Sequence, residues 1–121
     1  MRRVIVAGIG IVLSVGIGGL ALAAETGTAK SVTGTPEDSF CYTTLGAHGA
    51  SHKKCAMACA KKGIPVTLVE KGTDKMYVLL PPKNDEPLPD DLLNKMEDQV
   101  TVSGKEYSKG GVNYLTVESV K

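Results

Sequence analysis

Ile64 to Leu80, IPVTLVEKGTDKMYVLL, decides the fold. Two apolar runs rich in β-branched residues flank Lys71-Gly72-Thr73-Asp74-Lys75, a segment of turn formers. The stretch therefore reads as a strand over Ile64–Glu70, a turn, and a second strand over Met76–Leu80. Pro81-Pro82 ends it, since proline donates no ladder hydrogen bond. Downstream, a polar connection leads to a short helix over Asp90–Asp98, with Asp90 and Asp91 where the helix dipole favours acids. Val100, Val102 and Gly104 open a fourth strand, Ser108-Lys109-Gly110-Gly111 turns it, and Val112–Val120 is the fifth.

Upstream of the hairpin the pattern changes from strand to helix. Ser51 is placed as an N-cap for a helix over His52–Lys62, rich in alanine. Lys61 and Lys62 suit its C-terminal dipole, Gly63 suits the C′ position, and Pro65 blocks continuation. Gly46–Ala50 is a loop, and Val32–Tyr42 is extended, interrupted by Pro36 and the acidic pair Glu37-Asp38. The order is strand, helix, strand, strand, helix, strand, strand. It predicts a mostly β chain: a five-stranded OB-like Greek-key barrel with a Cys/His-bearing helix inserted between strands 1 and 2 and a short helix between strands 3 and 4. A generic five-stranded α+β sheet is the alternative.

The N-terminus reads as a targeting segment. Arg2 and Arg3 precede an uncharged run, Val4–Leu20, and Ala21-Leu22-Ala23 supplies a small-x-small cleavage pattern. The rival is an uncleaved membrane anchor, but five glycines in the run and the Ala-x-Ala motif favour cleavage. The expected organisation is a signal peptide at 1–23, a flexible tail at 24–31 and one OB-like domain at 32–121, placed in the periplasm or secreted. Of the 14 basic residues, Arg2 and Arg3 leave with the signal, so 12 lysines face 13 acids and the mature charge is −1. That balance gives no reason to expect nucleic acid or an anionic membrane as partner. Tyr77, Tyr107 and Tyr114 are the candidates for base stacking, yet one phenylalanine and no tryptophan argue against it.

All three cysteines and both histidines lie within Cys41–Gly63. On a helix, His52, Cys55 and Cys59 fall within about 60° of one another, and Cys41 on the upstream strand can fold back over that face. Three readings follow. A Cys3His set of Cys41, His52, Cys55 and Cys59 suits Zn2+ or Cu+, although Cys-x3-Cys is looser than the usual zinc knuckle. A disulfide from Cys41 to Cys55 or Cys59 closes a loop of 15–19 residues. On the chain-entropy model that closure contributes roughly 3 kcal/mol. Export favours such pairing, but it leaves an odd thiol. A redox thiol needs a lowered pKa, for which Cys55 has Lys53 and Lys54 beside it and a helix N-terminus nearby.

The pattern Thr33-Gly34-Thr35, Cys41-Tyr42, His52-x-x-Cys55-Ala56-x-x-Cys59, Gly63-Ile64-Pro65 and Val100-x-Val102-x-Gly104 resembles a group of small exported bacterial OB-fold-like proteins. The resemblance spans nearly the whole mature chain. It implies the fold and a cysteine/histidine cluster, and no activity. No haem is expected without Cys-x-x-Cys-His, and no nucleotide cofactor is expected. His48 in its glycine-rich loop is a possible fifth ligand, and an exposed loop histidine is the simpler reading. The functional expectation is a non-enzymatic exported module whose Cys/His cluster binds a metal ion. The alternative is a disulfide-stapled module for a protein or glycan partner, and the second alternative is a thiol redox protein.

Overall fold

In the computed structural model, which describes residues 25–121, the chain runs β1 (Thr28–Asp38), α1 (Lys53–Lys61), β2 (Val66–Glu70), β3 (Met76–Leu80), α2 (Asp90–Leu93), β4 (Val100–Lys109), β5 (Val112–Thr116) and β6 (Ser119–Val120). The expected signal segment lies outside the described residues. Among those residues no helix is long and apolar enough to cross a membrane.

The hairpin forms as expected, and its partners close a barrel. Strands pair in the order β1-β2-β3-β5-β4, and β4 returns to β1. All pairs are antiparallel except β3 with β5. Closure leaves no free edge in the five-stranded ring, and β6 is added outside it on β4, with Val120 opposite Val102. This is the OB-like barrel, with α1 inserted between β1 and β2 and α2 between β3 and β4.

One long strand serves two partners because a glycine sits where it changes hands. Thr28–Gly34 pairs with β4 and Gly34–Asp38 with β2, so Gly34 belongs to both ladders. A Cβ on Gly34 would lie 2.2 Å from the carbonyl oxygen of Val69. Gly104 has the same task in β4, where a Cβ would stand 1.7 Å from the carbonyl oxygen of Thr116. Only a hydrogen allows the strands to cross this closely.

The interior is filled from alternate positions, as the pleat requires. Val32, Val66, Leu68, Tyr77, Leu79, Val100, Val102, Leu115 and Val117 are buried, and Leu92, Leu93 and Met96 join them from α2 and the turn after it. Each such side chain contributes about 1.5–3 kcal/mol by leaving water. Tyr77 is fully buried in this core, so it offers no ring for base stacking. Helix α1 contributes Ala56 and Ala60 to the same cluster and touches both β1 and α2. Its end is a Schellman motif: the Ile64 N–H donates to Cys59 O at 3.2 Å and the Gly63 N–H to Ala60 O at 3.0 Å, with Gly63 at φ 95°.

Several boundaries differ from the sequence reading: β1 ends at Asp38 and not Tyr42, β2 begins at Val66 and not Ile64, and four further differences have visible causes. Residues 28–31, expected in the flexible tail, are strand, because Thr28–Ser31 pairs with Ser103–Glu106 and Ser31 Oγ lies 2.7 Å from Ser103 Oγ. Ser51 does not cap α1; it lies in a 3-10 turn, Ala50–His52, whose start is set by Gly49 at φ 92°. The helix expected over Asp90–Asp98 stops at Leu93, and Glu97 turns to φ 67° so that its N–H reaches Pro36 O at 2.9 Å. The last strand breaks after Thr116, where Val117 and Glu118 donate to Leu80 O and Ser103 O and redirect the chain onto β4.

Glu37 and Glu97 meet between β1 and the turn after α2. Glu37 is 5% exposed, and each carboxyl leaves one buried oxygen without a partner. A single proton held between them would satisfy both. Burial, then the hydrogen bond to Glu97 and its like charge, push the Glu37 carboxyl from 4.5 up to about 8. Glu97 also accepts the Gly49 N–H at 2.7 Å, so the pair pins the inserted segment to the barrel. The folded chain thus holds a proton that the unfolded chain releases near pH 4.5. Stability from this pair is complete below that pH and is lost as pH rises through about 8. Glu37→Gln keeps the donor and removes the ionisation. Thermal melts between pH 5 and 9 are expected to show the wild type losing on the order of 2–4 kcal/mol, or roughly 10–20 °C, more than this variant. Equal slopes would show that the two carboxyls do not share a proton.

Candidate metal centre

Two local structures bring the cysteine segment together. The first is a turn after β1. Asp38, 1% exposed, ends the strand, and its Oδ1 accepts the N–H groups of Phe40 at 2.9 Å and Cys41 at 3.3 Å. The chain then winds into one turn of π-helix over Cys41–Leu45, closed by Gly46 at φ 65°. Cys41 is therefore the first residue of a capped turn and not part of an extended strand, as its position after the acidic pair had suggested.

The second is α1 itself. Ala56 and Ala60 face the core, which leaves Cys55 exposed and Cys59 half-buried on the neighbouring side of the helix. The 3-10 turn places His52 just before the helix begins, and the His52 N–H donates to Gly49 O at 2.9 Å. Lys53 forms an ion pair with Asp98, which ties the start of the helix to the turn after α2.

Cys41, His52 and Cys55 converge. Their ligand atoms all lie within 4.8 Å of one another, close enough to share one metal ion. His52 Nε2 is buried and has no hydrogen-bond partner, and a bound cation would satisfy it. Two thiols and an imidazole form a soft donor set, suited to a thiophilic ion. Cys59, the fourth residue of the expected set, is not in this group; it stands beside Cys55 and the Asp38 carboxylate. His48 is also outside it, its ring edge-on to Tyr42 with centroids 6.4 Å apart.

Asp38 is the site residue that sequence reading missed. Its second oxygen, Oδ2, is buried without a hydrogen-bond partner, and the thiols of Cys59 and Cys41 stand beside the carboxylate. Burial alone would raise its pKa, but the contact with the Cys59 thiol and the two backbone N–H groups outweigh burial and hold it below the ordinary aspartate value. The thiols carry the opposite consequence. Hydrogen bonding to Asp38, then burial, push Cys59 up to about 11, and burial followed by the Asp38 charge raises Cys41. Without a cation these thiols stay protonated at neutral pH. For Cys41 and Cys59 that is the reverse of what a nucleophilic or fast-exchanging cysteine requires. The available signal was an Asp three residues before a Cys at a strand end, a spacing at which a side chain caps the next turn.

No two sulfurs are at bonding distance, and all three cysteines are free thiols. The arrangement can coordinate an ion or, after a small movement, join Cys41 to Cys55. Comparison with protein-family models, with curated proteins and with solved structures found no match.

Proposed function

We propose that this chain is an exported, non-enzymatic OB-like module that holds a soft or borderline metal ion, Zn2+ or Cu+, at Cys41, His52 and Cys55. The convergence of those three ligand atoms within 4.8 Å carries the reading. The buried, unpartnered Nε2 of His52 supports it, because an imidazole nitrogen removed from water needs a hydrogen-bond partner or a metal. The N-terminal pattern of Arg2-Arg3, the apolar run Val4–Leu20 and Ala21-Leu22-Ala23 is the reason for proposing export.

The barrel serves as scaffold, and the ion is an addition to it. None of the three ligands belongs to the hydrophobic core. The metal-free protein is therefore expected to keep a folded barrel, unlike a zinc finger, whose fold depends on its ion. The test uses reduced, metal-free mature protein, loaded anaerobically with Zn2+ or Cu+ and then desalted. One ion per chain is expected, falling to none after the thiols are alkylated. No retained ion of either kind would contradict the reading. A disulfide-stapled module for a protein or glycan partner is the second reading, favoured by the proximity of Cys41 to Cys55.

A further inference from the structure

Resting on the metal reading above, we infer that the ion is Cu+ held by only three protein ligands, in a site open enough to hand it on. The donor set is two thiolates and one imidazole, and soft thiolates select Cu+. Cu+ has a closed shell and is stable with three ligands. Zn2+ asks for more. A structural zinc is enclosed by four protein ligands. The remaining thiol, Cys59, stands instead against Asp38 and Cys55, outside the converging group.

A catalytic zinc has three protein ligands and an open position, but it works at the wall of a substrate cleft. Three clefts of the described residues lie away from the three ligands. One is lined by Leu80–Asn84 with Tyr107, another by Ala60–Val66 with Leu88. A third includes Glu37, Tyr42 and His48 and none of the three ligands.

Exposure gives the site its use. Cys55 is exposed and Cys41 half-buried, so an incoming donor can reach the ion from the Cys55 side without any movement of the barrel, while His52 Nε2 stays buried. The exchange is associative. A thiolate or thioether of another molecule bonds to Cu+, then the bond to Cys55 Sγ breaks and that sulfur takes up a proton. The copper stays Cu+ throughout, so no oxidant or reductant is required. Because the core contains none of the ligands, releasing the ion does not cost the protein its fold. The protein on this reading is a carrier of Cu+.

The experiment loads mature protein with Cu+ under anaerobic conditions and competes it with a chromophoric Cu+ chelator, bathocuproine disulfonate, with and without excess Zn2+. Cys59→Ser is tested alongside. Cu+ is expected to stay bound against a roughly tenfold excess of Zn2+, and Cys59→Ser is expected to hold it within about threefold of the wild-type affinity. The rate of transfer to the chelator is expected to rise linearly with chelator concentration. Displacement of Cu+ by Zn2+ would overturn the proposal. So would a loss of roughly tenfold or more in Cys59→Ser, or a transfer rate indifferent to the chelator. Each of these leaves the metal function standing with a different ion or a four-ligand site. Failure of both ions to bind would remove the metal function itself. The wild-type competition decides the matter even if the variant does not fold.

Discussion

Gly104→Ala is expected to cost at least about 3 kcal/mol, which lowers the melting temperature by roughly 15 °C or more in a domain of this size. The added Cβ would fall 1.7 Å from the Thr116 carbonyl oxygen, far inside any real contact distance. The obstructing atom is backbone, so no rotamer change relieves it. Thr116 closes the parallel pair of β3 with β5, and Thr116 Oγ1 accepts the Lys105 N–H at 2.8 Å. Moving either strand therefore opens the ring that excludes water from the core. Gly34→Ala acts through the same mechanism against Val69 O at 2.2 Å. A chemical denaturation curve measures the loss, and a change within 1 kcal/mol of zero would show that β4 and β5 do not cross as described.

On the proposed metal function, removing a ligand is expected to act on the ion and to spare the barrel. Cys55→Ser and His52→Ala are each expected to lower metal affinity by roughly 100-fold or more, because each takes one of three converging donors. Neither residue packs in the core, so the metal-free variants are expected to melt within about 3 °C of the metal-free wild type. The contrast separates a binding role from a structural one. If His52→Ala bound the ion as tightly as the wild type, the imidazole would be no more than a residue of the turn before α1.

The parts of this molecule written in contiguous residues were readable in the chain. The strand Met76–Leu80, the turn before it, and the α1 terminus at Gly63-Ile64-Pro65 follow from local alternation, turn formers and a C′ glycine, and they occur where expected. The strand order also followed, since a barrel of five short strands closes in few ways. What the chain did not display is set by distant neighbours. Thr28–Ser31 looks like a tail until β4 is beside it. Asp90–Asp98 looks like one helix until Glu97 is drawn to Pro36. Val112–Val120 looks like one strand until the crossing at Gly104 redirects it.

The site divides in the same way. His52 and Cys55 follow from helical spacing, and Cys41 from its place in the connection. Asp38 is invisible as a site residue until its burial and its hold on Cys41 are seen. Cys59 lies against the Asp38 carboxylate and Cys55 and outside the converging three, a distinction that spacing on a helix does not make.

The most direct measurement is the intact mass of mature protein taken from the export compartment, under native and then denaturing conditions, with thiols alkylated after unfolding. A native mass heavier by one metal ion, together with three alkylated thiols, is the expected result. A mass lighter by two hydrogens, with one alkylated thiol and no metal, would contradict it. That outcome would make Cys41 and Cys55, or Cys41 and Cys59, a disulfide that staples the inserted helix to the barrel.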